Sequence, residues 1–270
     1  MKSLDDSFFD LRYLDDLSRN NTVIHRIDPR VKVITTLIYI VLIVSFNKYE
    51  ISSMVPFILY PVLLISLGKI PVMTVIKKMI LVSPFAIFIG IFNPFIDKTP
   101  ILEIGGIVIL GGWLSFFSIL LRFSLTVSAA LILIATTGFN QICRALEKLY
   151  IPQIFIMQLM FLYRYIFVLG EELLRMNRAR MLRSSLDPGI KFITYKNIIG
   201  CLLMRTLDRA QRIHLAMSCR GFNGTITVIN PLKTTWLSLI FLIVWVGIFI
   251  GLRIVNIPRW LGLYFMELLL

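Results

Sequence analysis

The residues of this chain best suited to recognising something specific are two arginines. Arg183 stands in Leu182-Arg183-Ser184 and Arg220 in Cys219-Arg220-Gly221, and each closes a stretch with the period of a basic amphipathic helix. The second stretch covers roughly Ile198–Arg220. Leu203, Leu207, Ala210, Ile213 and Met217 recur there at helical spacing, Arg205, Arg209 and Arg212 form another stripe, and Gly221 follows as a helix-ending residue should. Cations favour helix C-termini in any protein. That accounts for one such arginine; two of them, 37 residues apart in one basic block, point to a docking surface with paired anchors.

Other chemistry is sparse. There is no GxxxxGK[ST] phosphate loop, so the chain is not expected to hydrolyse ATP itself. His25 and His214 lie far apart, and Cys143, Cys201 and Cys219 form no CxxC pair, whereas a transition-metal cage wants clustered ligands. The cysteines read as reduced, small apolar groups. No acid pair or Ser-His arrangement falls inside an apolar run. The expectation is a non-enzymatic chain without cofactor or resident metal. The net charge of +13 could suggest nucleic acid, but positive-inside bias and attraction to anionic lipid explain it more simply.

The elements that must position the arginines are membrane helices. The chain has 270 residues, is 57% hydrophobic and only 16% charged, and its mean hydropathy is +0.84. A soluble domain is about a quarter charged. The apolar excess lies in runs long enough to cross hydrocarbon about 30 Å thick. Five spans are expected: Val33–Phe46, slightly short; Ile51–Leu67; Met79–Ile96, containing Pro84 and Pro94; Trp113–Thr136; and Thr235–Leu252. Ile101–Gly112, with its Gly pairs and β-branched run, reads as a loop or small hairpin. Residues 1–30 carry no clear signal-peptide core and read as an amphipathic segment on the membrane. Trp260–Leu270 is too short to span, but could join Gly247–Val255 as a broken sixth crossing. The expected fold is an all-α integral membrane protein. Residues 1–138 hold the N-terminal segment and four spans, 139–233 a cytoplasmic domain of amphipathic helices, and 234–270 the last span and tail.

Charge sets the expected orientation. Lys69, Lys77 and Lys78 lie between spans two and three, whereas Lys98 is the single basic residue in the loop between spans three and four. The N-terminus and residues 139–233 are therefore expected inside, in the cytoplasmic membrane of a cell. That block carries 14 of the 28 Lys and Arg residues and 5 of the 15 acidic ones. Within it, Asn140 is expected to cap a helix running through Leu149, before Pro152. Ile154–Gly170 is apolar enough to cross, but it contains Arg164, and a crossing would export the basic residues that follow. Pro152–Met181 is therefore read as a long helix at the cytoplasmic interface, with a Glu171–Arg175 pair one turn apart. Asp187-Pro188-Gly189 is a strong turn. Arg122, nine residues inside the fourth span, either snorkels outward or contacts another subunit.

These motifs resemble a known family. VIHRIDPRVKVI, LEKLYIPQIFIMQLMFLYRYIFVLGEELLRMNRARMLRSS and LDRAQRIHLAMSCRGFNG are similar, in order, to the HRLDPRxK, YRY and ARGF elements of transmembrane (T) components of energy-coupling factor transporters. The resemblance is greatest to the CbiQ type of cobalt and nickel importers. Leu182 and Ser184 depart from the Ala and Gly that the family favours around the first arginine, and Cys219 replaces an Ala at the second. The resemblance implies a coupling subunit between two ABC-type ATPases and a separate substrate-binding membrane subunit, of the S or CbiM-like kind. Arg183 and Arg220, with Leu182, Ser184, Cys219 and Gly221 beside them, would contact acidic residues on the ATPases. Arg122 and Arg164 are the further candidates for subunit contact. The alternatives are a T component of a vitamin importer and, from a different class, an interfacial enzyme acting on lipid.

Overall fold

The architecture comes from a computed structural model, which describes residues 15, 17–20, 22–96, 100–104, 107–183, 192–222, 224 and 236–254. The expected amphipathic segment at 1–30 falls partly, and the Asp187-Pro188-Gly189 turn and Trp260–Leu270 tail wholly, outside those residues. The helices are α1 (Pro29–Val44), α2 (Ile51–Met54), a 3₁₀ turn (Val55–Ile58), α3 (Leu59–Gly68), α4 (Val72–Gly90), α5 (Asn93–Ile96), α6 (Gly111–Thr137), α7 (Phe139–Lys148), α8 (Gln153–Arg183), α9 (Phe192–Cys219) and α10 (Trp236–Ile254). Strands Pro100–Ile104 and Ile107–Leu110 pair antiparallel, so of the loop or small hairpin expected before α6 it is the hairpin that forms; the other regular elements among the described residues are helices.

Among the described residues, five stretches are long and apolar enough to cross a membrane: Ile51–Gly68, Val72–Phe95, Gly111–Thr137, Gln153–Arg183 and Trp236–Ile254. The number equals the expected one, but the membership differs. The first expected span is the 16-residue helix α1, which at 1.5 Å per residue covers only about 24 Å. In its place α8 qualifies, unbroken over 31 residues. The start of α7 also differs: Asn140 lies inside the helix, because α7 begins at Phe139, directly after Gly138 in the left-handed region at φ +75°.

Packing divides the chain into two units, one from the described residues of Leu14–Gly138 and Leu232–Leu270, the other from those of Phe139–Pro231. The core of the first is aromatic. Tyr39, Phe57, Tyr60 and Phe249 are each at most 1% exposed. Tyr39 and Tyr60 lie 4.5 Å apart, and Trp245 meets Tyr60 edge-on at 4.8 Å. Across α6 the buried side chains Ser115, Ser118, Ser128 and Ala129 are small, which lets membrane helices approach closely.

Prolines inside these helices free carbonyls that other groups take up. Pro84 cannot donate to Ile80, and the Ser83 hydroxyl donates to that oxygen at 2.9 Å. The start of α1 ties the unit together. Asp28 Oδ1 accepts from the Arg30 amide at 2.9 Å, and the Asp28 amide donates to Ser238 Oγ at 3.0 Å. Lys32, 4% exposed, donates from Nζ to the Thr136 carbonyl at 3.0 Å, so a buried cation occupies the C-terminal end of α6. His25 Nε2 donates to the Leu17 carbonyl at 3.1 Å, which leaves Nδ1 as acceptor for the Thr22 hydroxyl at 2.7 Å.

Candidate functional site

The second unit carries both arginines. Its helix α8 packs against α7 and α9. Phe139 of α7 stacks on Tyr163 of α8, with ring centroids 4.3 Å apart. Between α8 and α9 runs an apolar groove of about 550 Å³, lined among others by Met157, Phe161 and Tyr165 from α8 and by Leu207, Ile213 and Met217 from α9. Leu207, Ala210, Ile213 and Met217 of the expected apolar stripe line it; Leu203 does not.

The basic stripe of α9 divides. Arg205 Nη1 and Arg209 Nη2 both reach the Glu172 carboxylate, at 3.0 and 2.9 Å, and the Glu172 side chain is 16% exposed. These two arginines therefore hold α9 to α8. The Glu172 clamp was missed in the sequence; its only trace there is an i,i+4 arginine pair and a carboxylate more than thirty residues earlier.

Arg183 is the last residue of α8 and Arg220 follows the last residue of α9. Both are exposed, and among the described residues neither has an ion-pair or hydrogen-bonded side-chain partner. Leu182, beside the first, is 88% exposed; Ser184 lies outside the described residues. Around the second, the Phe222 amide donates to Met217 O and the Gly221 amide to Ser218 O, both at 3.0 Å. This double cap requires Gly221 in the left-handed region, at φ +77°. Cys219 is exposed, with a free thiol. Arg220 thus projects from a rigid helix end, and its charge also suits the negative end of the helix dipole.

The other two candidates sit elsewhere. Arg164 is exposed on α8 with its guanidinium 6.0 Å from the Tyr165 ring. Arg122 belongs to the first unit and reaches the turn that follows α1: its Nη2 donates to the carbonyls of Phe46 at 3.1 Å and Asn47 at 3.4 Å. Arg253 joins it there, donating to the Leu42 and Ser45 carbonyls at 3.3 and 3.4 Å, with its guanidinium 4.4 Å from the Phe46 ring. Arg253 thus covers the carbonyl end of the short helix α1, and Arg122 the turn that follows it. Arg253 was not singled out in the sequence. Among the described residues, no three of His, Cys, Asp and Glu are grouped as a metal site would need.

Residues 20–231 match the model of the family CbiQ, cobalt transport protein. The uncharacterized protein MJ1571 of Methanocaldococcus jannaschii is 28% identical over 238 residues, covering 84% of this chain and 79% of its own. The energy-coupling factor transporter transmembrane protein EcfT of Bacillus subtilis is 26% identical, covering 75% of this chain and 82% of its own. The nickel permease LarQ of Lactiplantibacillus plantarum is 29% identical over a shorter match, covering 41% of this chain and 42% of its own.

Proposed function

Because the chain belongs to the CbiQ family of cobalt transport proteins, we propose that it is the transmembrane coupling subunit of an energy-coupling factor importer, serving uptake of cobalt or nickel. In this reading two ABC-type ATPases bind ATP and move, and the α7–α9 unit passes that motion to a separate substrate-binding membrane subunit. The chain itself is not an enzyme. The observation that carries the reading is the contrast among the arginines. Arg205 and Arg209 are paired with Glu172 inside the unit, whereas Arg183 and Arg220 stand exposed at the ends of α8 and α9, with no ion-pair or hydrogen-bonded side-chain partner among the described residues. A guanidinium held at a helix end presents a planar donor fork to a carboxylate on another protein.

Co-purification of tagged ATPases with the Arg183→Ala, Arg220→Ala double variant tests this. ATPase recovery should fall to background while the chain still reaches the membrane; wild-type recovery together with wild-type uptake would remove the coupling role. A second reading keeps the arginines and changes the cargo: a coupling subunit serving a vitamin-binding subunit. It is favoured by the longer match to the energy-coupling factor protein than to the nickel permease. The binding subunit that co-purifies, and uptake of labelled cobalt, nickel or vitamin, decide between the two.

A further inference from the structure

The segment VIHRIDPRVKVI has no part in the arginine anchors. Its residues converge instead on the end of α6. Lys32 Nζ donates to the Thr136 carbonyl in the last turn of that helix. His25 Nε2 donates to the Leu17 carbonyl, and beside Leu17 the Ser18 hydroxyl donates to the Asp15 carbonyl at 2.6 Å. Ser18 and Asp15 cover Gly138, where a Cβ would meet Ser18 Oγ at 2.6 Å and Asp15 Oδ1 at 3.2 Å. The motif thus grips Thr136 directly and Gly138 through Ser18. Phe139 follows and opens α7, so the gripped residues form a covalent link to the helices that carry Arg183 and Arg220.

Lysine is a costly residue for that grip. Lys32 is 4% exposed, and a buried ammonium loses hydration that an apolar side chain of similar size never had. One turn earlier, Asp28 is also 4% exposed. Its Oδ1 caps α1, but its Oδ2 is buried and has no hydrogen-bond partner among the described residues. Residues four apart on a helix are neighbours. A carboxylate accepts from an ammonium more strongly than a carbonyl does. The cation therefore sits on the weaker of two acceptors while the stronger is left unsatisfied, which costs free energy. A second arrangement, with Lys32 on Asp28, accounts for that oxygen.

We infer that Lys32 is a two-position latch. On the Thr136 carbonyl it holds the end of α6; on Asp28 Oδ2 it releases it. Lys32 and Asp28 are positioning residues, and the structure holds the latched state. The use made of the latch rests on the coupling reading above: motion driven by ATP enters through α7 and pulls on Gly138, Lys32 passes to Asp28, and the last turn of α6 is freed. A static brace would need Lys32 but would leave Asp28 Oδ2 without a use.

The Gly138 amide donates to the Ile134 carbonyl at 2.8 Å, so its hydrogen exchange reports on the last turn of α6. Exchange is measured on the full chain in lipid nanodiscs with its co-purified ATPases, with and without a non-hydrolysable ATP analogue. In the wild-type chain the analogue should speed exchange several-fold. Lys32→Met keeps the bulk and loses the donor; it should exchange fast with or without the analogue, and Lys32→Arg should restore the slow resting rate. Asp28→Asn keeps a side chain able to cap α1 and removes the carboxylate. It should exchange several-fold more slowly than the wild type at rest and show no response to the analogue. A static brace predicts otherwise: no response in the wild type, or Asp28→Asn equal to the wild type. Either result overturns the latch, as does resting exchange in Lys32→Met equal to that of the wild type. If the wild-type chain retains no ATPase, the coupling reading fails. The order of resting rates in the chain alone, Lys32→Met above wild type above Asp28→Asn, then decides the latch, and any other order overturns it.

Discussion

The hydroxyl of Tyr39 donates to the carbonyl oxygen of Phe57 at 3.0 Å. Pro61, four residues after Phe57, has no N–H to offer that oxygen. The chain between α2 and α3 tightens into a 3₁₀ turn at this point, and a side chain from α1 supplies the missing donor. Tyr39→Phe keeps the ring and removes only the hydroxyl. It should destabilise the protein by about 1–3 kcal/mol, the cost of leaving a buried acceptor unsatisfied. Unfolding in detergent, followed by the near-ultraviolet signal of the aromatic core, measures this. An unchanged midpoint would mean that another donor takes over.

His25 links stability to pH. Burial, and then the neighbouring charge of Lys32, hold its imidazole below the ordinary value of 6.5. The unfolded chain then binds the proton more readily than the folded one. The contribution to stability is complete above about 6.5 and is lost as pH falls through the lower folded value. His25→Gln, which does not titrate, should flatten the decline in thermal stability between neutral pH and pH ~5. An identical decline in the variant would assign the acid sensitivity to other groups.

Lysine at the anchor positions separates a partner contact from a helix-end effect. If Arg183 and Arg220 pair with carboxylates on the ATPases, truncating either should cost about 2–5 kcal/mol of binding. That weakens ATPase attachment about thirty-fold or more, at tenfold per 1.4 kcal/mol. Arg183→Lys and Arg220→Lys should restore little of it, because the planar fork is lost. A favourable charge at a helix C-terminus would behave otherwise, with lysine nearly silent and alanine costing tenths of a kcal/mol in stability. Titration of immobilised complexes with ATPase distinguishes the two.

Two glycines with the same backbone should respond differently to alanine. Gly138 and Gly221 lie at φ +75° and +77°. A Cβ on Gly138 would meet Ser18 Oγ at 2.6 Å, while one on Gly221 would meet open space. Gly221→Ala should cost about 1–2 kcal/mol for the left-handed backbone alone. Gly138→Ala should cost more, since Ser18 is held by its own bond to the Asp15 carbonyl at 2.6 Å. Equal melting temperatures for the two variants would contradict this.

Orientation is open to direct chemistry. Lys77 should face the cytoplasm and Glu103 the exterior, from the excess of basic residues around α4 and their scarcity near the hairpin. Single cysteines at these positions in a cysteine-free background, labelled by an impermeant maleimide from each side, test it. External labelling at position 77 would reverse the arrangement.

Much of this protein is local and was therefore readable along the chain. Hydrocarbon thickness is a length, so a run such as Trp113–Thr136 announces α6, observed as Gly111–Thr137, without reference to anything distant. The Gly pairs and β-branched run before α6 pointed to a loop or small hairpin, and Gly221 to the end of α9, because turns and caps depend on a few neighbouring dihedrals. A membrane protein with helical segments around Arg183 and Arg220 followed from sequence alone. The partners of polar groups did not. Lys32 finds Thr136 across 104 positions, Arg122 finds Phe46 across 76, and Arg253 finds Ser45 across 208. Each answers a carbonyl at or just past a helix end, which only the packing brings within reach. The same holds within the basic block. Arg205, Arg209 and Arg212 looked alike in sequence, and the approach of α9 to α8 gave the first two to Glu172. Spacing could say that α8 is apolar on several sides; which side covers the groove and which stays open depends on where α7 and α9 pack against it. Hydropathy is a property of each residue, whereas a hydrogen bond or a covered face belongs to two residues at once, and only the folded chain pairs them.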